Sequence, residues 1–466
     1  MAIALAGAVL LTLTLAQTAM ASRTQTSIFD PAVSTTWDTT THDHAMADIQ
    51  ALGARKVRIL VWWNVVTYGM KGHVRPAFDA SDPAAYPPGA WSTYDAAILA
   101  ARARGLGVYL QVSGPAPLWA TATHVDGVTE PRPDEFQAFV TAVARRYGAL
   151  VDTWSFWNEA NQNAFLRPQR KNGQLYAPRL YRRLFEAGRR GLAAAGRPNA
   201  RVLLGELAPR GGSAITPLAF LRSLLCLDSR YRRLRGVSCP KLATAGWAQH
   251  TYVWSQGPFA VPYNRDDLTV ASLSRLSRAL DLAARAGRVP GGLGIYLTEH
   301  GVSTRGASGV TLANQAEFLP ISERIAWRNP RVRSFAQFQL MSPADPRAFV
   351  SALRAAPTFA SPLGLAQPAY EGWRMPLAVI RQRSRVSLWG IVRPARAPTT
   401  LTVQVCDRGC SALSTAWRRL ATRRTDALGH WTGTGTYRTG RLWRVVWRDP
   451  GGVTRVGPAM RARIWP

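Results

Sequence analysis

The sequence predicts an α/β chain: a (β/α)8 TIM barrel followed by a small C-terminal antiparallel β-sandwich domain. Three observations predict it. Between about residues 26 and 380, eight short apolar runs alternate with helical stretches. Glycine repeatedly follows the last periodic residue of those stretches. Beyond about residue 381 the texture changes to short β-rich segments separated by turn residues.

Taken in chain order, residues 1–21 carry no charge, and Ala19-Met20-Ala21 forms the small-x-small pattern that signal peptidase cuts. Residues 1–21 therefore read as a secretory signal peptide, with a retained membrane anchor as the alternative. Either places the bulk of the chain outside the cytoplasm, secreted or otherwise extracytoplasmic. The barrel is expected over residues 22–380. Its strand candidates are Thr26–Phe29, Lys56–Trp63, Gly107–Ser113, Asp152–Asn158, Arg201–Glu206, Gly246–Tyr252, Gly294–Glu299 and Val332–Gln339. They are near-continuously apolar, as parallel strands covered on both faces must be. Helical patterns at His44–Leu52, Thr93–Arg104, Asp134–Tyr147, Tyr181–Ala195 and Leu268–Ala286 stop at Gly53, Gly105, Gly148, Gly196 and Gly287. An open doubly wound sheet is the rival, but no Gly-x-Gly-x-x-Gly turn follows the first strand.

Residues 386–466 read as the sandwich, joined through Arg381–Arg385. Its aromatics Trp389, Trp417, Trp431, Tyr437, Trp443 and Trp447 either fill a small core or form a sugar-stacking surface. The four cysteines fall into two local pairs, Cys226 with Cys239 and Cys406 with Cys410, as expected of disulfides in an exported protein. No Cys-x-x-Cys pair or histidine cluster suggests a metal site.

The formal net charge of +31 is carried almost wholly by arginine spread along the chain. That spread, without a zinc-finger, RNA-recognition or helix-turn-helix pattern, argues against specific nucleic-acid binding. Attraction to anionic cell-envelope polymers remains physically reasonable. A monomer is expected.

Two segments carry chemistry. Trp154-Ser155-Phe156-Trp157-Asn158-Glu159 and Gly294-Ile295-Tyr296-Leu297-Thr298-Glu299 each deliver one carboxylate at the C-terminal end of an apolar strand, where barrel enzymes build active sites. Two such carboxyl groups suit glycosidic bond cleavage: one protonates the leaving oxygen while the other attacks. The fourth and seventh strands face each other across a barrel, so both can flank one bond. Arg58 or Tyr252 would support the ionised nucleophile.

These residues resemble those of clan A glycoside hydrolases, the barrel clan that includes families 5 and 39. Asn158-Glu159 is similar to the clan's acid/base motif, and Leu297-Thr298-Glu299-His300-Gly301 to its nucleophile segment. Gln249-His250-Thr251-Tyr252 resembles the His-x-Tyr pair of family 5, and Val57-Arg58 before Trp62-Trp63 resembles the second-strand arginine beside the nucleophile. The resemblance implies a retaining glycosidase acting on a β-linked carbohydrate without a cofactor, with Glu159 as general acid/base and Glu299 as nucleophile. Asn158, Arg58, His250, Tyr252, Trp63 and Glu206 are the expected substrate-binding residues, with a core role open for His250 and Trp63, a structural ion-pair role open for Arg58, and for Glu206 either support of the groups around it or a loop role. Two departures stand out: Ala160 replaces the usual proline after Glu159, and Phe338-Gln339-Leu340-Met341 offers no tryptophan after the eighth strand. The alternative is a catalytically silent carbohydrate-binding or envelope-associated barrel.

Overall fold

The computed structural model describes residues 26–30 (backbone only), 38–70, 72–212, 214–411 and 414–464. The signal-peptide expectation lies outside them. Eight parallel strands close into a barrel, each beside its successor in the chain: β1 Thr26–Asp30, β2 Lys56–Trp62, β3 Gly107–Ser113, β4 Thr153–Phe156, β5 Val202–Leu207, β6 Gly246–Val253, β7 Ile295–Val302 and β8 Val332–Phe338, which pairs back onto β1. Every residue of β4, β5 and β6 is buried, polar and apolar alike, which is why these runs do not alternate.

The barrel helices are α1 Thr39–Ala51, α2 Ser92–Ala103, α3 Pro133–Tyr147, α4 Ala177–Ala194, α5 Pro217–Leu224, α6 Leu273–Arg285, α7 Leu312–Arg328 and α8 Pro368–Arg374. Gly53, Gly105, Gly196 and Gly287 take positive φ after their helices, the conformation a glycine stop requires; Gly148 stays right-handed with φ −58°. Helix α6 starts later than its periodicity suggests, because Thr269 and Ser272 form a capping box around a single 3-10 turn, Val270–Ser272.

The second unit holds two sheets. One joins β9 Leu377–Gln382, β10 Arg385–Ile391 and β13 His430–Thr436 with the short β17 Arg463–Ile464; the other joins β11 Thr400–Cys406, β12 Arg418–Arg424, β14 Leu442–Arg448, β15 Thr454–Val456 and β16 Met460–Arg461. Arg381–Arg385 is not a linker: Gln382 pairs with Arg385 at the tip of the β9–β10 hairpin. The second unit therefore begins near Leu377. Its period-2 alternation explains why: Leu377 and Val379 enter the small core, while Ala378 and Ile380 join the barrel core. The tryptophans Trp389, Trp417, Trp431, Trp443 and Trp447 are all buried, so they do not form an open stacking surface.

The second unit docks on α7. Trp389 and His430 pack on Trp327, and the buried Arg393–Glu323 pair spans 2.6 Å. Both disulfides join the cysteines paired by spacing, Cys226–Cys239 and Cys406–Cys410, and they fit an extracytoplasmic location. Among the described residues no helix is long and apolar enough to cross a membrane.

Candidate active site

The C-terminal ends of β2, β4, β6 and β7 converge on a cavity of about 470 Å³ at the barrel mouth. Each strand delivers its residue for a local reason. After β4 the chain turns sharply: Trp157 and Glu159 both take left-handed backbone conformations, with φ 61° and 38°. Such conformations cost about 1–3 kcal/mol each in a residue with a side chain and persist only where surroundings over-determine them. Here the Trp157 N–H donates to Val112 O, the Asn158 N–H to Ser113 Oγ and the Glu159 N–H to Glu206 O. The turn swings the Glu159 carboxyl into the cavity.

On β5, Gly205 has φ +123°, and a Cβ there would lie 2.3 Å from Ala248 O. This close approach to β6, with the shift in pairing register beside it, turns Glu206 (φ 53°) inward. Strands β6 and β7 lie in register as His250 opposite Glu299, which places these two functional side chains side by side.

The result is a compact array of three carboxylates and two cations. Arg58, fully buried, reaches Glu299 Oε1 at 2.8 Å and Glu206 Oε2 at 3.2 Å, and donates to Gln111 and to Asn158 Oδ1. His250 stands between the acids: Nδ1 is 2.8 Å from Glu159 Oε1 and 3.4 Å from Glu299 Oε2, and Nε2 is 2.8 Å from Glu206 Oε2. The Tyr252 hydroxyl donates to Glu299 Oε2, and Tyr109 and Thr298 donate to Glu206. One carboxylate oxygen of Glu159 and one of Glu299 lie within 4.8 Å of each other. Their side chains stay partly open, 16% and 6% exposed, whereas Glu206 is sealed at 0%.

Electrostatics follow from this packing. Burial alone would push the His250 imidazole down, but Glu299, Glu159 and Glu206 outweigh it and raise it to about 10. Burial would likewise raise Glu206, yet Arg58 and the bonds from His250 and Thr298 hold it below the usual carboxylate range. Glu159, His250 and Glu299 sit closely enough for a cation to touch all three. His250 Nδ1 already meets Glu159 and Nε2 meets Glu206, so both ring nitrogens are engaged within the protein.

A measurable consequence concerns stability. His250 has a folded value above its unfolded one, so its contribution is complete below pH 6.5 and disappears as pH rises towards 10. Denaturant midpoints should fall across that window by more in the wild-type protein than in His250→Asn. Equal slopes would contradict the charged histidine.

Most expected site residues meet here: Glu159, Glu299, Asn158, Arg58 and Tyr252 line the cavity. Three expectations need correction. Trp63 does not face the cavity; it stacks on Phe139 at 5.2 Å in the core, and Trp62 lines the cavity instead. Strand alternation carries the reason, since Arg58, Leu60 and Trp62 share one face. Glu206 and His250 lie beneath the cavity, fully buried, and hold its charged groups rather than contacting its open volume. Trp254, Phe165, Phe338 and Phe349 also line the cavity, although the sequence reading had not assigned them. Alternation from His250 through Tyr252 signals Trp254; nothing periodic signals Phe165 or Phe349, which stand on loops.

The fold is that of barrel glycoside hydrolases, as the motif resemblance implied. The chain is similar to a family 39 glycoside hydrolase from the gut symbiont Bacteroides cellulosilyticus WH2 (TM-score 0.52, 12% identity, covering 89% of this chain and 82% of that one). It is similar to a glucosidase from Croceicoccus marinus (0.51, 10%, 93% and 95%) and to GH5_18 from Streptomyces cattleya, solved in complex with GlcNAc (0.50, 17%, 78% and 83%). No protein-family model matches the sequence, and neither does any curated protein.

Proposed function

We propose that the protein is a retaining glycoside hydrolase that cleaves a β-linked oligosaccharide, polysaccharide or glycoconjugate outside the cytoplasm. The observation that carries this reading is the approach of the Glu159 and Glu299 carboxylates to within 4.8 Å across one cavity. Retaining enzymes hold their two carboxyl groups roughly 5–5.5 Å apart, and inverting enzymes leave room for a water between them.

Glu299 is the nucleophile. Arg58 and Tyr252 occupy one oxygen each and aim the carboxylate at the anomeric carbon. Glu159 is the acid: its proton passes to the leaving oxygen as that bond breaks and the Glu299–carbon bond forms. Glu159 then takes a proton from water, whose oxygen attacks the anomeric carbon and frees Glu299. Asn158 supplies a polar contact for a sugar hydroxyl, and the Trp62, Trp254 and Phe338 rings offer apolar faces for stacking.

The second unit completes the reading as a β-sandwich, since residues of both its sheets share one core. A monomer suffices for the chemistry, because one barrel supplies every group.

A panel of aryl β-glycosides and oligosaccharides tests the proposal. Turnover of at least one substrate, lost in Glu159→Gln and Glu299→Gln, is expected. Saturable sugar binding with no turnover across the panel would favour a silent binding barrel.

A further inference from the structure

Away from the barrel mouth, helix α6 is flanked by two large cavities that share no lining residue with the candidate active site. One, about 860 Å³, lies between α6, the end of α7 and strand β9. The other, about 770 Å³, lies on the adjoining face of α6, beside the segments around Tyr231 and Asp266. Arg278 lines both.

Each cavity is walled by five arginines and a single carboxylate among the described residues, and each carboxylate is already taken: Asp281 by Arg331, Asp266 by Arg222. Arg278, Arg285, Arg230 and Arg265 make no ion pair among the described residues, and all four are exposed. Arg324 and Arg328 stand one turn apart on α7, a like-charge spacing that is unfavourable by itself. Burial, and behind it the charge of Arg328, push Arg324 down to about 10.

We propose that this double groove binds a polyanionic glycan, a sugar polymer bearing repeated carboxylate or phosphodiester groups. Together its two halves line α6 from Leu273 to Arg285, a stretch of about 18 Å, so an extended chain can meet more of their arginines at once than one small anion can. Charge complementarity alone would also suit nucleic acid. The larger cavity, however, has no aromatic residue among its described lining, and Tyr231 in the smaller one is covered by the Arg222 guanidinium at 5.5 Å. Base-stacking surfaces, which single-stranded nucleic-acid sites use, are therefore missing from the described lining. The inference does not depend on the barrel mouth being catalytic.

The test must separate this groove from the diffuse charge of a +31 chain. The groove variant replaces Arg230, Arg265, Arg278 and Arg285 by Gln; a control variant makes the same change at the exposed Arg383, Arg419, Arg424 and Arg461 of the second unit. Binding of polygalacturonate and of poly(glycerol phosphate) is titrated at several salt concentrations, with a short DNA duplex as the competing arm. The groove variant should bind at least about tenfold more weakly and with a shallower salt dependence, while the control stays within about threefold of wild type. Preference for one polymer assigns the anionic group. Equal losses in the two variants, or tighter binding of the duplex than of either polymer, would overturn the proposal. Should the fourfold change impair folding, Arg278→Gln at the shared position carries the same comparison, with a loss of about threefold expected against Arg419→Gln.

Discussion

Replacing Glu299 by glutamine is expected to lower kcat by about four orders of magnitude or more, equivalent to about 5.5 kcal/mol of lost transition-state stabilisation. The substitution keeps the shape, and the amide can still accept from Tyr252, but it removes the charge that the proposed mechanism directs at the anomeric carbon and that Arg58 faces at 2.8 Å. The fold should survive. The companion variant Glu159→Gln separates the two roles by leaving group: with an activated aryl glycoside the first step needs little acid assistance, so the loss should be far smaller than with an alkyl glycoside. Kinetics on both substrates check this. Near-wild-type turnover in Glu299→Gln would remove the nucleophile from the scheme.

The second large effect concerns Arg58. Its guanidinium is wholly buried and contacts Glu206, Glu299, Asn158 and Gln111 at once. Breaking a buried ion network by deleting one partner typically costs about 3–5 kcal/mol, because the charges left behind have no water to turn to. Arg58→Met should therefore lose stability on that scale, read from urea unfolding, and also activity, because Glu299 loses its support. Arg58→Lys should recover only part of either, since one ammonium cannot serve four acceptors held in a planar fork. A fully stable Arg58→Met would show that Glu206 and His250 balance each other without it.

The parts of this site that were legible in the sequence are those that strand geometry fixes. A carboxylate at the end of an apolar run, as at Glu159 and Glu299, reports both the strand and the face of the barrel on which it ends. The cysteine pairs were equally plain from spacing. Trp63 ends the apolar run but points into the core, whereas counting by twos from Arg58 gives Trp62 as the ring that reaches the cavity. His250 was legible as a site residue with a core role open, whereas the full burial of Glu206 was not legible, because it depends on the bulge at Gly205. Leu377–Ile380 looked like the end of the barrel because its apolar run is continuous. It is continuous because one face serves each core. Phe165 and Phe349 were invisible, since loop positions follow no period.

The anomeric configuration of the first product tests the central claim most directly. With a β-glycoside that the enzyme turns over, proton NMR recorded during the first minutes should show the β-anomer of the released sugar appearing first, with the α-anomer growing only by mutarotation. Two displacements at one carbon require that order. An α-anomer formed first would mean that water, not Glu299, attacks the sugar, and the close pair of carboxylates would need another explanation.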